Sequence, residues 1–468
     1  MPTSAQYRPE ACFARLGPDF ADTVSPARFP AEILRWRNQG WAERIGLGSL
    51  SEPEWSAHFA RFDPLPRNMP TPLAMRYHGH QFRNYNPDIG DGRGFLYAQL
   101  RDDAGRLLDL GTKGSGQTPY SRFGDGRLTL KGGVREVLAA AMLEARGVYT
   151  SKALSLFETG EELTRGDEPS PTRSSVLVRL SHSHIRFGTF QRLAFFERRD
   201  EMWALIEHAV ENYYPEFQGL AGEVLVAALF GAIVEANARL AASWMAAGFV
   251  HGVLNTDNLN ITGESFDYGP WRFLPTSDPN FTAAYFDENG LYAFGRQPEA
   301  VSWALSQLGG ALTLVCPAAA LERELARFVQ TYRLGLRESV FARLKLRAGE
   351  IEADMAFLGV LFDWLTITQS GWDQFFHDWT GGGASAARAT ASPQAALYAQ
   401  PAFAELRAGL DARASDPPTH PYFQSPRPVT LLIEDIEALW APIAESDDWS
   451  LFAAKLGEID EARQALAV

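Results

Sequence analysis

His251-Gly-Val-Leu-Asn-Thr-Asp-Asn-Leu-Asn-Ile-Thr-Gly-Glu-Ser-Phe-Asp-Tyr-Gly269 is the stretch on which the reading of this chain turns. Asn258 stands seven residues after His251, and Asp267 opens an Asp-Tyr-Gly triplet nine residues further on. Both side chains offer hard oxygen ligands suited to Mg2+. Asp257, just before Asn258, is the carboxylate this loop offers as a proton acceptor; its plain alternative is to cap the turn through its own backbone. Val253 can accept no proton. A loop with metal-holding residues and a displaced base points to phosphoryl or nucleotidyl transfer, and the rest of the chain is read for the parts such chemistry needs.

With 43 Lys and Arg against 57 Asp and Glu, the net charge is −14, so a broad nucleic-acid-binding face is not expected and any bound polyanion must be met by a local cationic cluster. Cys12 and Cys316 are the only cysteines, which leaves no Cys-based metal site and no disulfide framework. The start of the chain carries no basic segment followed by an apolar core. One long apolar stretch is interrupted by Glu235, Asn237 and Arg239, another by Pro317. The expectation is a soluble cytoplasmic protein with neither nucleic-acid nor membrane partners.

Working outward, residues 1–70 are rich in Pro and aromatics and read as a wrapping extension with a helix at 52–62. Residues 71–94, dense in Gly, His and Asn, read as a loop. Phe95–Leu100 and Arg106–Gly111 read as a hairpin joined by Asp-Asp-Ala-Gly. Lys113 then opens a Gly-rich loop that runs to Gly126. Apolar residues at helical spacing predict a helix over 131–146, closed by Gly147, and strands are expected at 151–157 and 176–180. From about 190 onward helices dominate, at 223–247, 299–313, 318–346, 349–366 and 429–466. Residues 381–399 are low in complexity and read as a flexible loop. The pattern predicts an α+β chain with a small β-rich lobe at 71–190 and a larger helical lobe at 191–380, flanked by extensions at 1–70 and 381–468. That is the two-lobed layout of protein kinases.

Phosphate chemistry needs a Gly-rich cradle, cations on the phosphates, and a metal held by Asp and Asn. Gly90-Asp91-Gly92-Arg93-Gly94 precedes the hairpin and would let backbone amides approach phosphate oxygens, though Gly-Asp-Gly is equally a turn. Lys113, with Glu136 as its ion-pair partner on the next helix, stands where a kinase keeps its phosphate-pairing lysine. Asp125 and Gly126 lie in a second Gly-rich turn. Arg179 interrupts the alternation of Val176, Val178 and Leu180 and therefore faces away from them. With Arg186 it could supply the positive field a triphosphate requires; a pair of surface salt bridges is the bland alternative. His78, His80, His182 and His184 lack any zinc-ligand spacing and read as structural hydrogen-bonding groups. The kinase catalytic loop reads His-x-Asp, four residues, then Asn, so Val253 occupies the position of the usual base.

These segments resemble the selenoprotein O family of protein adenylyltransferases, called YdiU in bacteria. The resemblance rests on Gly79-His-Gln-Phe82 with Gly90-Asp-Gly-Arg93, and on Lys113-Gly-Ser-Gly-Gln-Thr-Pro-Tyr-Ser-Arg-Phe-Gly-Asp125-Gly126-Arg. Arg135-Glu136, Ser183-His-Ile-Arg186-Phe-Gly-Thr-Phe-Gln191 and the 251–270 loop complete it. It implies a kinase-like fold that binds ATP in a flipped orientation and moves AMP to Ser, Thr or Tyr hydroxyls of target proteins. It also implies that Gly90, Gly92, Arg93, Lys113, Asp125, Gly126, Arg179, Arg186 and Asp267 contact nucleotide. Asn258 and Asp267 would hold Mg2+, with Mn2+ as the alternative, and Asp257 would accept the proton. Residues 461–468, Glu-Ala-Arg-Gln-Ala-Leu-Ala-Val, carry no counterpart of the family's C-terminal cysteine or selenocysteine. Two other readings stand beside this one: a kinase-like phosphotransferase acting on a small molecule, against which Val253 counts, and a catalytically inactive ATP-binding pseudokinase scaffold.

Overall fold

A computed structural model of the chain describes residues 4–166 and 168–467. The central element is a nine-stranded antiparallel sheet whose spine runs Leu96–Arg101, Leu107–Lys113, Thr172–Ser181, Lys152–Leu163. Both faces of this spine are covered, so its strands are apolar on both sides rather than alternating. Val176, Val178 and Leu180 pack with Trp55, Phe59, Phe62 and Tyr97 on one face. Leu177 joins the core of the helix Leu130–Ala145 on the other. The predicted orientation of Arg179 follows from this: it sits buried on the face away from Val178 and Leu180.

The segment 1–70 does more than wrap. It supplies the strands Arg8–Pro9, Ala21–Thr23 and Ile33–Arg37 to the sheet, and the helix Glu52–Phe59 to its outer face. The stretch 71–94, expected as a loop, holds three short strands. Leu73–Met75 pairs with Ala21–Thr23, while Gly79–Gln81 and Asn84–Asn86 pair with each other. Each strand is only three residues long, too short for a periodic signature, and the pairing of Leu73–Met75 depends on a distant partner.

The helix Leu130–Ala145 is capped by Thr129, whose hydroxyl accepts from the Gly132 amide at 3.1 Å, and Gly147 follows its end at φ +77°. The C-terminal helices Ile433–Ser446 and Ser450–Leu466 belong to the same assembly. The latter packs on Leu130–Ala145, and Lys131 pairs with Glu437 at 2.7 Å.

The helix Gly222–Ala247 is long and apolar enough to cross a membrane, yet most of its apolar window is buried inside the protein. Asn237 on this helix donates to the carbonyl of Asn260 at 3.2 Å, which ties the helix to the loop after His251. Gly248 ends the helix at φ +64°, and any Cβ there would lie 2.5 Å from the Trp372 indole. This left-handed cap turns the chain into Phe249–Val250 and the loop beyond.

The single helix expected at 318–346 is two, Ala318–Leu325 and Phe328–Leu344. Residues 381–399 are not an open loop either. Gly382–Ser385, Ala386–Ala391 and Ala395–Tyr398 are short helical turns. Alanine-rich sequence is compatible with helix, and the Asp378 carboxylate accepts from Ser392 Oγ at 2.5 Å and Tyr398 OH at 2.8 Å, which stitches the segment down.

Candidate active site

The loop at 251–269 is locked from several sides before its functional groups are considered. The His251 amide donates to Gln297 Oε1 at 2.9 Å, and its Nε2–H donates to the Phe266 carbonyl at 3.0 Å, joining the two ends of the stretch. Asn255 Oδ1 accepts from Tyr292 OH and the Phe82 amide. Thr256 Oγ1 donates to Gln191 at 2.7 Å and accepts from the His80 amide at 2.8 Å. The short turn Thr256–Asn258 therefore projects Asp257 and Asn258 from a rigid base.

That turn borders a cleft of about 820 Å³, and every site residue read from the sequence lines it. Lys113 closes the strand Leu107–Lys113 and forms a buried ion pair with Glu136, which stands behind it on the helix Leu130–Ala145. The lysine also lies 2.8 Å from Asp267 Oδ1. Asp267 occupies the left-handed region at φ +66°, uncommon for a residue with a side chain. Arg179 at 3.2 Å and Arg186 at 3.3 Å complete a ring of three cations around this one carboxylate. Burial alone would raise the Asp267 pKa, but Lys113, Arg179 and Arg186 outweigh it and hold the group well below the usual carboxylate range.

Arg186 lies over the ring of Tyr77 at 4.8 Å and over that of Phe266 at 4.9 Å, donates to the Asp257 carbonyl at 2.5 Å, and faces Asp91 at 3.5 Å. The Asp257 side chain is different. Its Oδ1 is buried and has no hydrogen-bond partner among the described residues, and burial, only partly countered by Arg186, lifts its pKa to about 6. Asn258 donates its amide to the Val253 carbonyl at 3.0 Å, while no described residue donates to its side-chain oxygen.

At the opposite wall the two Gly-rich turns face each other. A Cβ on Gly90 would lie 2.5 Å from the Tyr120 ring. Gly126, at φ +71°, is joined to Gly116 by a 3.1 Å backbone hydrogen bond that closes the loop after Lys113. Arg93 and Asp125 are exposed at the rim, and Asp125 pairs with Arg165 at 2.8 Å. The four histidines make hydrogen bonds as the sequence suggested: His78 with Tyr85, His80 with Gln191, His182 with Tyr149, and His184 with Asp109.

A family model described as protein adenylyltransferase SelO matches residues 3–460. The chain belongs to this family. It is 44% identical over 466 residues to a protein nucleotidyltransferase YdiU of Gloeobacter violaceus, a match covering 96% of this chain and 94% of that one. Relatives of the same name in Synechococcus elongatus and a Synechocystis strain are 49% and 52% identical, over 78% and 71% of this chain and 74% and 70% of theirs.

The donor set of this SelO-family chain fits a hard divalent cation. Asp267 contributes a carboxylate held ionised and Asn258 an uncommitted amide oxygen. Mg2+ is commonly held by one or two protein oxygens plus substrate phosphates and water, so a site of this size suffices. The sequence missed several contributors. Asp91 lay inside the Gly-Asp-Gly turn, Phe266 inside the 251–269 stretch and Gln191 at the end of the 183–191 segment, but none of them, nor Tyr77, carried a local sign of the contact it makes with Arg186 or Thr256.

Proposed function

We propose that this chain is a Mg2+-dependent protein adenylyltransferase, with Mn2+ as the alternative ion, moving AMP from ATP to Ser, Thr or Tyr hydroxyls of proteins. The observation that carries the reading is Asp257: a buried, unpartnered carboxylate oxygen, four residues beyond the position where Val253 can accept no proton. We read residues 71–190 and 191–380 as the small and large lobes of a kinase-like fold, with 1–70 and 381–468 as extensions, acting in the cytoplasm.

In this mechanism Lys113, Arg179 and Arg186 offer donors to the phosphates of ATP, giving charge-assisted hydrogen bonds in a partly dry cleft. Gly90, Gly92 and Gly126 let the two Gly-rich turns pack closely, since a Cβ on them would meet Tyr120 or Gly116, and the backbone so placed faces the nucleotide, which Arg93 and Asp125 contact at the rim. Asn258 and Asp267 would hold the metal, which when bound offsets the charge on the α-phosphate and on the leaving pyrophosphate. The Asp257 carboxylate takes the proton of the incoming hydroxyl as the hydroxyl oxygen bonds to the α-phosphorus and the bond to pyrophosphate breaks. Its raised pKa suits a base that must also release the proton near neutral pH.

The test is incubation with ATP labelled at the α or the γ phosphate, following incorporation into the protein itself and into bulk protein. Transfer of α label alone is expected. Transfer of γ label alone would instead identify a phosphotransferase, and ATP binding without transfer of either label would identify a scaffold.

A further inference from the structure

A line of buried polar side chains runs from Asp109 to Arg179 through His184, which itself borders the cleft, and neither Asp109 nor His184 has a part in the chemistry above. Asp109, 1% exposed, accepts from the backbone amide of His184 at 2.8 Å and lies 3.3 Å from His184 Nδ1. Its other oxygen accepts from Gln99 Nε2 at 2.7 Å. On the far side of the imidazole, Arg179 Nε–H donates to His184 Nε2 at 3.3 Å, which assigns the ring proton to Nδ1 and its donation to Asp109. Burial, aided by Arg179 and Arg186 and opposed by Asp109, keeps the His184 pKa below its ordinary value, consistent with a neutral ring that accepts at Nε2.

The strand beneath is shaped for this ring. Gly111 stands opposite Arg179 in the sheet register, and a Cβ on it would lie 2.4 Å from His184 Nε2. A glycine inside a strand marks a close approach, and here the imidazole is what approaches. A guanidinium presents five N–H donors in one fixed plane. Fixing Nε to a ring that is itself fixed therefore sets the direction of the remaining donors, one of which reaches Asp267 at 3.2 Å.

We propose that His184, oriented by Asp109 and seated on Gly111, is a positioning residue that sets the plane of the Arg179 guanidinium for phosphate binding. The proposal rests on the nucleotide reading above.

Asn and Gln separate the two ends of the imidazole. His184→Asn places its amide near the position of Nδ1 and keeps a donor for Asp109, but is too short to reach Arg179. His184→Gln extends an acceptor towards Nε of Arg179. ATP affinity is measured by titration calorimetry with Mg2+ on each variant, alone and combined with Arg179→Ala, with thermal midpoints recorded to confirm folding. His184→Asn is expected to weaken ATP binding about tenfold, the size of one hydrogen bond to a charged group, and His184→Gln to recover most of that loss. In the Arg179→Ala background His184→Asn should add almost nothing. Multiplicative effects in the double variant, or wild-type affinity in a folded His184→Asn protein, would overturn the proposal alone. A wild-type protein that binds no ATP would remove the nucleotide reading and this proposal together.

Discussion

Replacing Lys113 by Met separates what this residue does for the fold from what we propose it does for the nucleotide. The side chain keeps its length but loses the charge that neutralises Glu136, which is 4% exposed and has no other ion pair among the described residues. Asp267 is less affected, since Arg179 and Arg186 remain beside it. Breaking a buried pair by removing one partner costs about 3–5 kcal/mol, because the other charge is left without compensation. An unfolding entropy of ~2.1 cal/mol/K per residue over 468 residues makes ~1 kcal/mol worth about 1 °C. Lys113→Met should therefore lower the thermal midpoint by roughly 3–5 °C.

Adding Glu136→Gln removes the orphaned charge while keeping a polar group of the same shape, so the double variant should regain most of the lost stability. It should not regain α-label transfer, because the phosphate contact stays lost. The assays are thermal unfolding by circular dichroism and labelling with α-labelled ATP at matched temperature. A double variant as unstable as the single one would show that the orphaned carboxylate is not the source of the cost. A single variant with wild-type labelling would show that Lys113 does not serve the phosphates.

Asp257→Asn preserves shape but cannot take a proton; α-label transfer should fall at least ~100-fold, the usual contribution of a general base, with ATP affinity little changed by calorimetry. Transfer near the wild-type rate would remove Asp257 from the base role. Glu264 is buried, accepts from the His182 amide at 2.8 Å, and has its pKa lifted to about 8, chiefly by burial. The folded state thus holds a proton that the unfolded state releases, so the stability this carboxyl contributes is full below pH ~4.5 and is lost as pH rises through 8. Glu264→Gln, which never ionises, should gain on the wild type progressively between pH 5 and 9 in urea titrations, and a constant gap would refute this. Gly126→Ala combines φ +71° with a Cβ 2.2 Å from the carbonyl carbon of Gly116. The backbone strain of ~1–3 kcal/mol should open the loop and weaken ATP binding while Lys113 and Asp267 stay in place, and unaltered affinity would show that the closed loop is not needed.

What the sequence made legible is what it encodes locally. The 251–269 stretch carries the groups proposed to hold metal and to accept the proton within one loop, and Lys113 and Glu136 sit on a strand and a helix that follows it, so their pairing could be read from order alone. The arginines were legible as cations but not as a ring around Asp267, because that convergence depends on the sheet bringing residue 179 over the loop. Strands such as Ala21–Thr23 have no periodic signature in three residues and exist only through a partner at Leu73–Met75. The stretch 381–399 looked structureless because composition says nothing of Asp378, which anchors it.

Gly111 marks the boundary between the two kinds of information. A glycine between Leu110 and Thr112, inside a hairpin strand, announces in sequence that something must come close to the backbone there. It cannot say what, since the neighbour is His184, on a turn that reaches the strand only after the helix Leu130–Ala145 and two further strands have been laid down. The position of a constraint is thus written locally while its partner is written in the topology. For that reason the residues proposed to touch substrate could be found by reading along the chain, whereas the residue proposed to aim one of them required the fold.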